Sequence, residues 1–124
     1  MLNNAVIWFE IMVHDMLRAK EFYESVFQVK LEPLNTEEFE MWGFPTAMDR
    51  MGVGGALVQM DGVATGGHSS TRVYFSCADC AVEAELVQQY GGQIYREKMS
   101  IGEYGFIALA LDTEGNMIGL HSLK

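Results

Sequence analysis

The sequence predicts an α+β chain of two tandem β-α-β-β-β modules forming a half-open, eight-stranded, barrel-like sheet with the helices outside. Three observations carry that expectation. Apolar residues alternate at strand spacing in the opening segment and again from Thr71. Each of these segments runs into an aspartate followed by apolar residues at helical spacing, and three strand-like stretches follow each helix. The halves align at an offset of about 62–65 positions, the range obtained by lining up like elements. Met41-Trp42-Gly43-Phe44 then parallels Glu103-Tyr104-Gly105-Phe106.

In the first half, residues 5–13 read as a strand. Ile7, Phe9, Ile11 and Val13 form an apolar face suited to a core under a helix, and Trp8, Glu10 and Met12 a mixed face suited to a cavity. Asp15 caps a helix carrying Met16, Ala19, Phe22, Tyr23 and Val26 and running to about Phe27. A short strand at Val29–Leu31 is broken by Pro33 and Asn35. Strands at Phe39–Met48 and Ala56–Met60 complete the half, with a turn near Asp49-Arg50 and Gly54-Gly55 before the last strand. Residues 61–70 have linker composition.

The second half repeats the order. Thr71–Cys77 alternates, and Asp79 caps a helix with Ala81, Val82, Leu86 and Tyr90 that stops at Gly91-Gly92. Strands follow at Gln93–Arg96, Tyr104–Leu111 and Met117–Ser122, the last two joined by a turn at Asp112–Asn116. The chain is therefore read as one domain, with module 1 about 1–60, a linker about 61–70 and module 2 about 71–124.

Composition narrows the function. Hydrophobic residues make up 49% and charged residues 20%, an ordinary globular balance. Seventeen acids against eight bases give a net charge of −9, which argues against a nucleic-acid partner because phosphate binding needs a basic surface. No run approaches the ~20 apolar residues of a membrane helix. The start lacks the basic and apolar regions of a signal peptide, so no membrane partner and a cytoplasmic location are expected. Cys77 and Cys80 form C-x-x-C, but Cys77 ends a strand and Asp79 between the thiols disfavours thiolate, so two reduced structural thiols are expected. The nine methionines are scattered and read as core filler rather than copper ligands.

Strand parity assigns a concave ligand face. The first module contributes Trp8, Glu10 and Met12, then Trp42, Phe44 and Met48. The second contributes Arg72 and Tyr74, then Tyr104, Phe106, Ala108 and Ala110, then Met117, Gly119 and His121. The alanines and glycine leave space, and the aromatics and methionines supply adaptable wall. Glu10, flanked by apolar side chains, is a candidate general base, or else an ion-pair partner of Arg72. His121 is a candidate proton shuttle or a plain surface histidine. Tyr104 either bonds a ligand oxygen or packs at a strand start. His14 reads as surface, and His68 as lid or solvent-exposed linker.

Phe9-Glu10-Ile11-Met12-Val13-His14-Asp15 running into Arg18-Ala19-Lys20-Glu21-Phe22-Tyr23 resembles the vicinal oxygen chelate superfamily of glyoxalase I, extradiol dioxygenases and bleomycin-resistance proteins. Leu109 through Asn116 and then Ile118-Gly119-Leu120-His121-Ser122 extend the likeness, which looks closest to a glyoxalase-related branch. The resemblance implies metal ligands at positions held here by Trp8, Val58 (with Gln59 one residue away), Arg72 and Gly119, none of which donates to a metal. Glyoxalase I activity, which uses that ion as a Lewis acid, is therefore not expected, and no cofactor is. What the resemblance implies instead is a small-molecule pocket protein, as a metal-independent isomerase or lyase. The alternatives are a sequestering protein like the bleomycin-resistance members, or a metal enzyme with a rearranged site using Glu10, His121 and Gln59. It also implies a homodimer.

Overall fold

The computed structural model describes residues 4–34, 36, 39–46, 52–60, 62 and 70–124. Among the described residues, eight strands and two α-helices give an α+β fold. The chain divides into two compact units, residues 8–71 and residues 1–7 with 72–124.

The first unit is built from β1 (Val6–Met12, from Trp8 onward), α1 (Met16–Phe27), β2 (Glu32–Pro33), β3 (Glu40–Gly43) and β4 (Gly54–Gln59). Strand order is β2-β3-β4-β1, with β1 parallel to β4 and the other pairs antiparallel. The parallel pair requires the crossover that α1 provides. Asp15, in extended backbone, starts α1 by accepting from the Arg18 N–H at 3.1 Å. Gln28 ends it in the left-handed region at φ 54°. Leu31 is buried behind the helix, its N–H donating to the Glu24 carboxylate at 2.8 Å. The short strand falls at Glu32–Pro33 rather than Val29–Leu31; Pro33 is tolerated because β2 lies at the end of this strand order. The strand expected over Phe39–Met48 ends at Gly43, and Met48, the turn near Asp49-Arg50, His68 and most of 61–70 lie outside the described residues.

The second unit has the same wiring: β5 (Thr71–Ser76), α2 (Cys80–Gln89), β6 (Gln93–Ser100), β7 (Phe106–Leu111) and β8 (Met117–Ser122), in order β5-β8-β7-β6. Again the module's first strand runs parallel to its last, β5 to β8. Asp79 caps α2 by accepting from the Ala81 N–H at 3.0 Å, and Gly91 at φ 100° carries the chain away. Asp112 closes the last turn by accepting from the N–H groups of Glu114 and Asn116. β6 reaches Ser100, four residues past the expected end, through two register shifts. Tyr104 lies not in β7 but in a single 3-10 turn, Gly102–Tyr104, before it. No helix among the described residues is long and apolar enough to cross a membrane.

Candidate functional site

Two separate clusters line β1 and β4. On the side facing α1, Met16, Leu31 and Leu57 are buried with Ile11, Val13, Ala19 and Tyr23 against them. On the other side Met12, Ala56 and Val58 are buried, with Trp8 and Met41 packed on them. The alternation read along β1 holds at its C-terminal end: Ile11 and Val13 lie under the helix, Trp8 and Met12 opposite.

Glu10 lies between Trp8 and Met12 in β1 and is only 9% exposed. Its Oε2 accepts the Trp8 indole N–H at 3.2 Å. The indole can lie along the strand because the residue opposite Trp8 on β4 is Gly54. A Cβ there would sit 3.0 Å from the six-membered ring. Opposite Glu10 stands Ala56, which carries no polar group. The result is a carboxylate held at a fixed angle on a mostly apolar strand face.

Trp42 and Phe44 do not join that face. Trp42 packs in the helix-side cluster with the Lys20 ammonium 3.3 Å from its ring centroid, and Phe44 packs edge-on against Tyr23 at 5.7 Å. The β3 side chain sharing the face of Trp8 is Met41. The register explains the correction. Trp42 pairs with Leu57 and Met41 with Val58, so a one-residue difference in where β3 enters the sheet exchanges the faces.

On β7 too the faces are the reverse of those expected. Phe106 and Ala108 belong to the cluster under α2, with buried Cys80 and Leu120, so they are not on a ligand face. The small side chains give room to the helix. Ala108 and Cys80 are both fully buried there, as close helix–sheet packing requires. Ile107 and Leu109 stand opposite His121 and Gly119 and so share the other face with them.

On that face Tyr74 is buried, 5% exposed, and lies against Gly119, its neighbour across the β5–β8 pair. A Cβ at 119 would drive into the Tyr74 ring. Arg72, two residues earlier, has its Nε buried without a hydrogen-bond partner among the described residues. His121 Nε2 meets the Tyr104 carbonyl at 2.6 Å. A carbonyl only accepts, so Nε2 carries the proton and Nδ1 is the basic nitrogen of the neutral ring. What Tyr104 offers here is its backbone oxygen.

The residues at the implied metal positions do not fit an ion. Trp8 commits its N–H to Glu10, Val58 is buried in an apolar cluster, and the space beside Gly119 is filled by Tyr74. Gln59 is also engaged, its Oε1 accepting the Met16 N–H at 2.7 Å, which occupies one of that oxygen's two lone pairs. The cysteines are free thiols. Burial, with the charge of Glu83 adding to it, pushes the Cys77 thiol up to about 11, which keeps it protonated at neutral pH. An open hollow of about 380 Å³ at the C-terminal end of β1 is lined by Met12, His14, Asp15, Arg18 and Tyr23 among others, but by neither Trp8 nor Glu10.

The fold, with its two units of like wiring, is shared with solved structures of low sequence identity. A Streptomyces coelicolor methylmalonyl-CoA epimerase variant in complex with 2-nitronate-propionyl-CoA is similar, with 14% identity, a TM-score of 0.70 and 96% of each chain covered. Mycobacterium tuberculosis methylmalonyl-CoA epimerase has 13% identity and a TM-score of 0.70, covering 100% of this chain and 93% of its own. A hypothetical protein from Bacillus halodurans has 12% identity and a TM-score of 0.71, covering 96% and 94%. No family model and no curated protein matches the chain in sequence.

Proposed function

We propose that the chain binds a small organic carbonyl compound and moves a proton beside the carbonyl without a metal, with Glu10 as the base. The carboxylate takes the proton from the carbon next to the carbonyl, and the C–H electron pair passes into an enolate whose oxygen carries the charge. Return of the proton to either face makes the step an isomerisation. The observation carrying this reading is the buried Glu10 carboxylate, oriented by the Trp8 indole on a mostly apolar strand face. The absence of donor side chains at Trp8, Val58 and Gly119 supports the metal-independent form, and the epimerase neighbours support the isomerase class. A cytoplasmic homodimer goes with the proposal, and sedimentation tests the dimer.

The test is deuterium uptake from D2O, read by mass spectrometry, with chelator present. The probes are methylmalonyl-CoA and a panel of carbonyl compounds bearing one acidic neighbouring C–H. The expected result is uptake of one deuterium at that carbon, lowered at least about a hundredfold in Glu10→Gln, as loss of a general base does. Tight binding with the probe recovered unlabelled supports sequestration instead and sinks the base role. Uptake that persists in Glu10→Gln sinks it too.

A further inference from the structure

We propose that Trp8 is a positioning residue for Glu10, and that Gly54 supplies the space that the indole needs to act as one. This rests on the proton-transfer reading above and adds a second residue to it. In a strand, residues two apart point to the same face, so Trp8 and Glu10 are same-face neighbours. Same-face neighbours touch only if one side chain lies down along the strand. The indole does so, and its Nε1–H reaches Glu10 Oε2 at 3.2 Å. Two features hold the ring in that pose. It packs on the buried Met12–Ala56–Val58 cluster, and its edge rests on Gly54, where no side chain competes for the space.

The indole bond restrains one oxygen of the Glu10 carboxylate and so helps to set the plane in which the base meets a C–H bond. Trp8 need not touch substrate to do this. Its effect runs through Glu10.

Trp8→Phe keeps an aromatic ring over Gly54 and deletes the N–H. The expected result is a fall of about tenfold in kcat for deuterium uptake with KM unchanged, the pattern for an interaction that matters only at the transition state. The second measurement needs no substrate. The chain holds two tryptophans and so gives two indole N–H resonances. Glu10→Gln is expected to move the Trp8 signal and leave that of Trp42, and Glu40→Gln to do the reverse. Gly54→Ala is expected to move the Trp8 signal in the same sense as Glu10→Gln.

If the Trp8 signal stays put in Glu10→Gln, the inference is overturned whatever the activity. It is also overturned if that signal moves but Trp8→Phe turns over like the parent, or loses KM rather than kcat. If the parent exchanges no deuterium, the proposed function falls by itself. The inference is then decided by the Glu10 side-chain carboxyl carbon signal, which must shift in Trp8→Phe.

Discussion

The first module carries the same pair of side chains twice, in opposite order along the strand, and the copies differ sharply in burial. On β1 the Trp8 indole donates to Glu10, and on β3 the Trp42 indole donates to Glu40, each across two residues and at 3.2 and 3.1 Å. Glu10 is buried, whereas Glu40 is exposed. Water competes for the Glu40 carboxylate and for the Trp42 N–H, so that bond contributes little, and the ring is held mainly by its packing and by Lys20 above it. Around Glu10 little water is available to replace a lost partner. The same pair of side chains is loosely held at one site and enclosed at the other, and the difference in burial is the largest one between them.

Removing each carboxylate in turn separates the two environments. Glu10→Ala orphans the indole N–H beside an apolar cluster and opens a gap, and should cost about 3 kcal/mol in denaturant unfolding. Glu40→Ala should stay within about 0.5 kcal/mol. Equal losses would mean that the two environments do not differ in the way their exposure says.

A third carboxylate extends the comparison to the second module. Glu83 stands near Cys77, and burial together with that charge raises the thiol to about 11 from 9.0. At pH 8 the thiolate fraction is then roughly a hundredfold below that of an unperturbed thiol, and alkylation of Cys77 by iodoacetamide should be slowed by about that factor. The raised value also fixes a pH window. The protonated thiol is favoured in the folded state, so its contribution is complete below pH 9 and disappears as the pH rises toward about 11. Replacing Cys77 with Ala should flatten the alkaline limb of the unfolding profile. An alkylation rate equal to that of a free thiol would remove the effect of burial.

Gly54→Ala probes the buried pair from the opposite strand. The new Cβ would stand 3.0 Å from the Trp8 ring, so the indole must give by a few tenths of an ångström. A loss of about 1 kcal/mol is expected, in the lower range for overpacking, with a shift in Trp8 fluorescence. No change in either would show that the ring is loosely seated.

Much of the fold was legible because its signals are local. Asp15 and Asp79 start their helices with the expected caps, Gly91 marks an end, and alternation along β1 and β5 assigns faces correctly. The site was legible only in part. Trp8, Glu10 and Met12 share a strand, so their neighbourhood follows from period two alone. The faces of Trp42, Phe44, Phe106 and Ala108 depend on register against partner strands, and a slip of one residue reverses them. Residue size misled as well. Alanine on β7 suggested room for a ligand, and that room is taken by α2. The bond between Trp8 and Glu10 was not readable, because it depends on Gly54, more than forty residues away in sequence and adjacent only once β1 and β4 have paired.

The smallest expected effect lies at an exposed carboxylate that does have a partner. Asp79 accepts from Lys98 Nζ at 2.8 Å and caps α2. These bonds, the Lys98 one first, hold its carboxyl below the usual value. A depressed folded value means that the stabilisation is present above the unfolded value and fades as the pH falls through the folded one. Acid unfolding should therefore begin at slightly higher pH in Asp79→Ala, with only a small loss of Tm at pH 7. Lys98→Gln should reproduce part of the shift, and salt should erase that part because an exposed pair is screened. The capping bond survives salt, so the residual difference between the two variants measures the cap alone. If Lys98→Gln matches Asp79→Ala in full and salt abolishes both, the cap contributes nothing and the exposed carboxylate acts only through its charge.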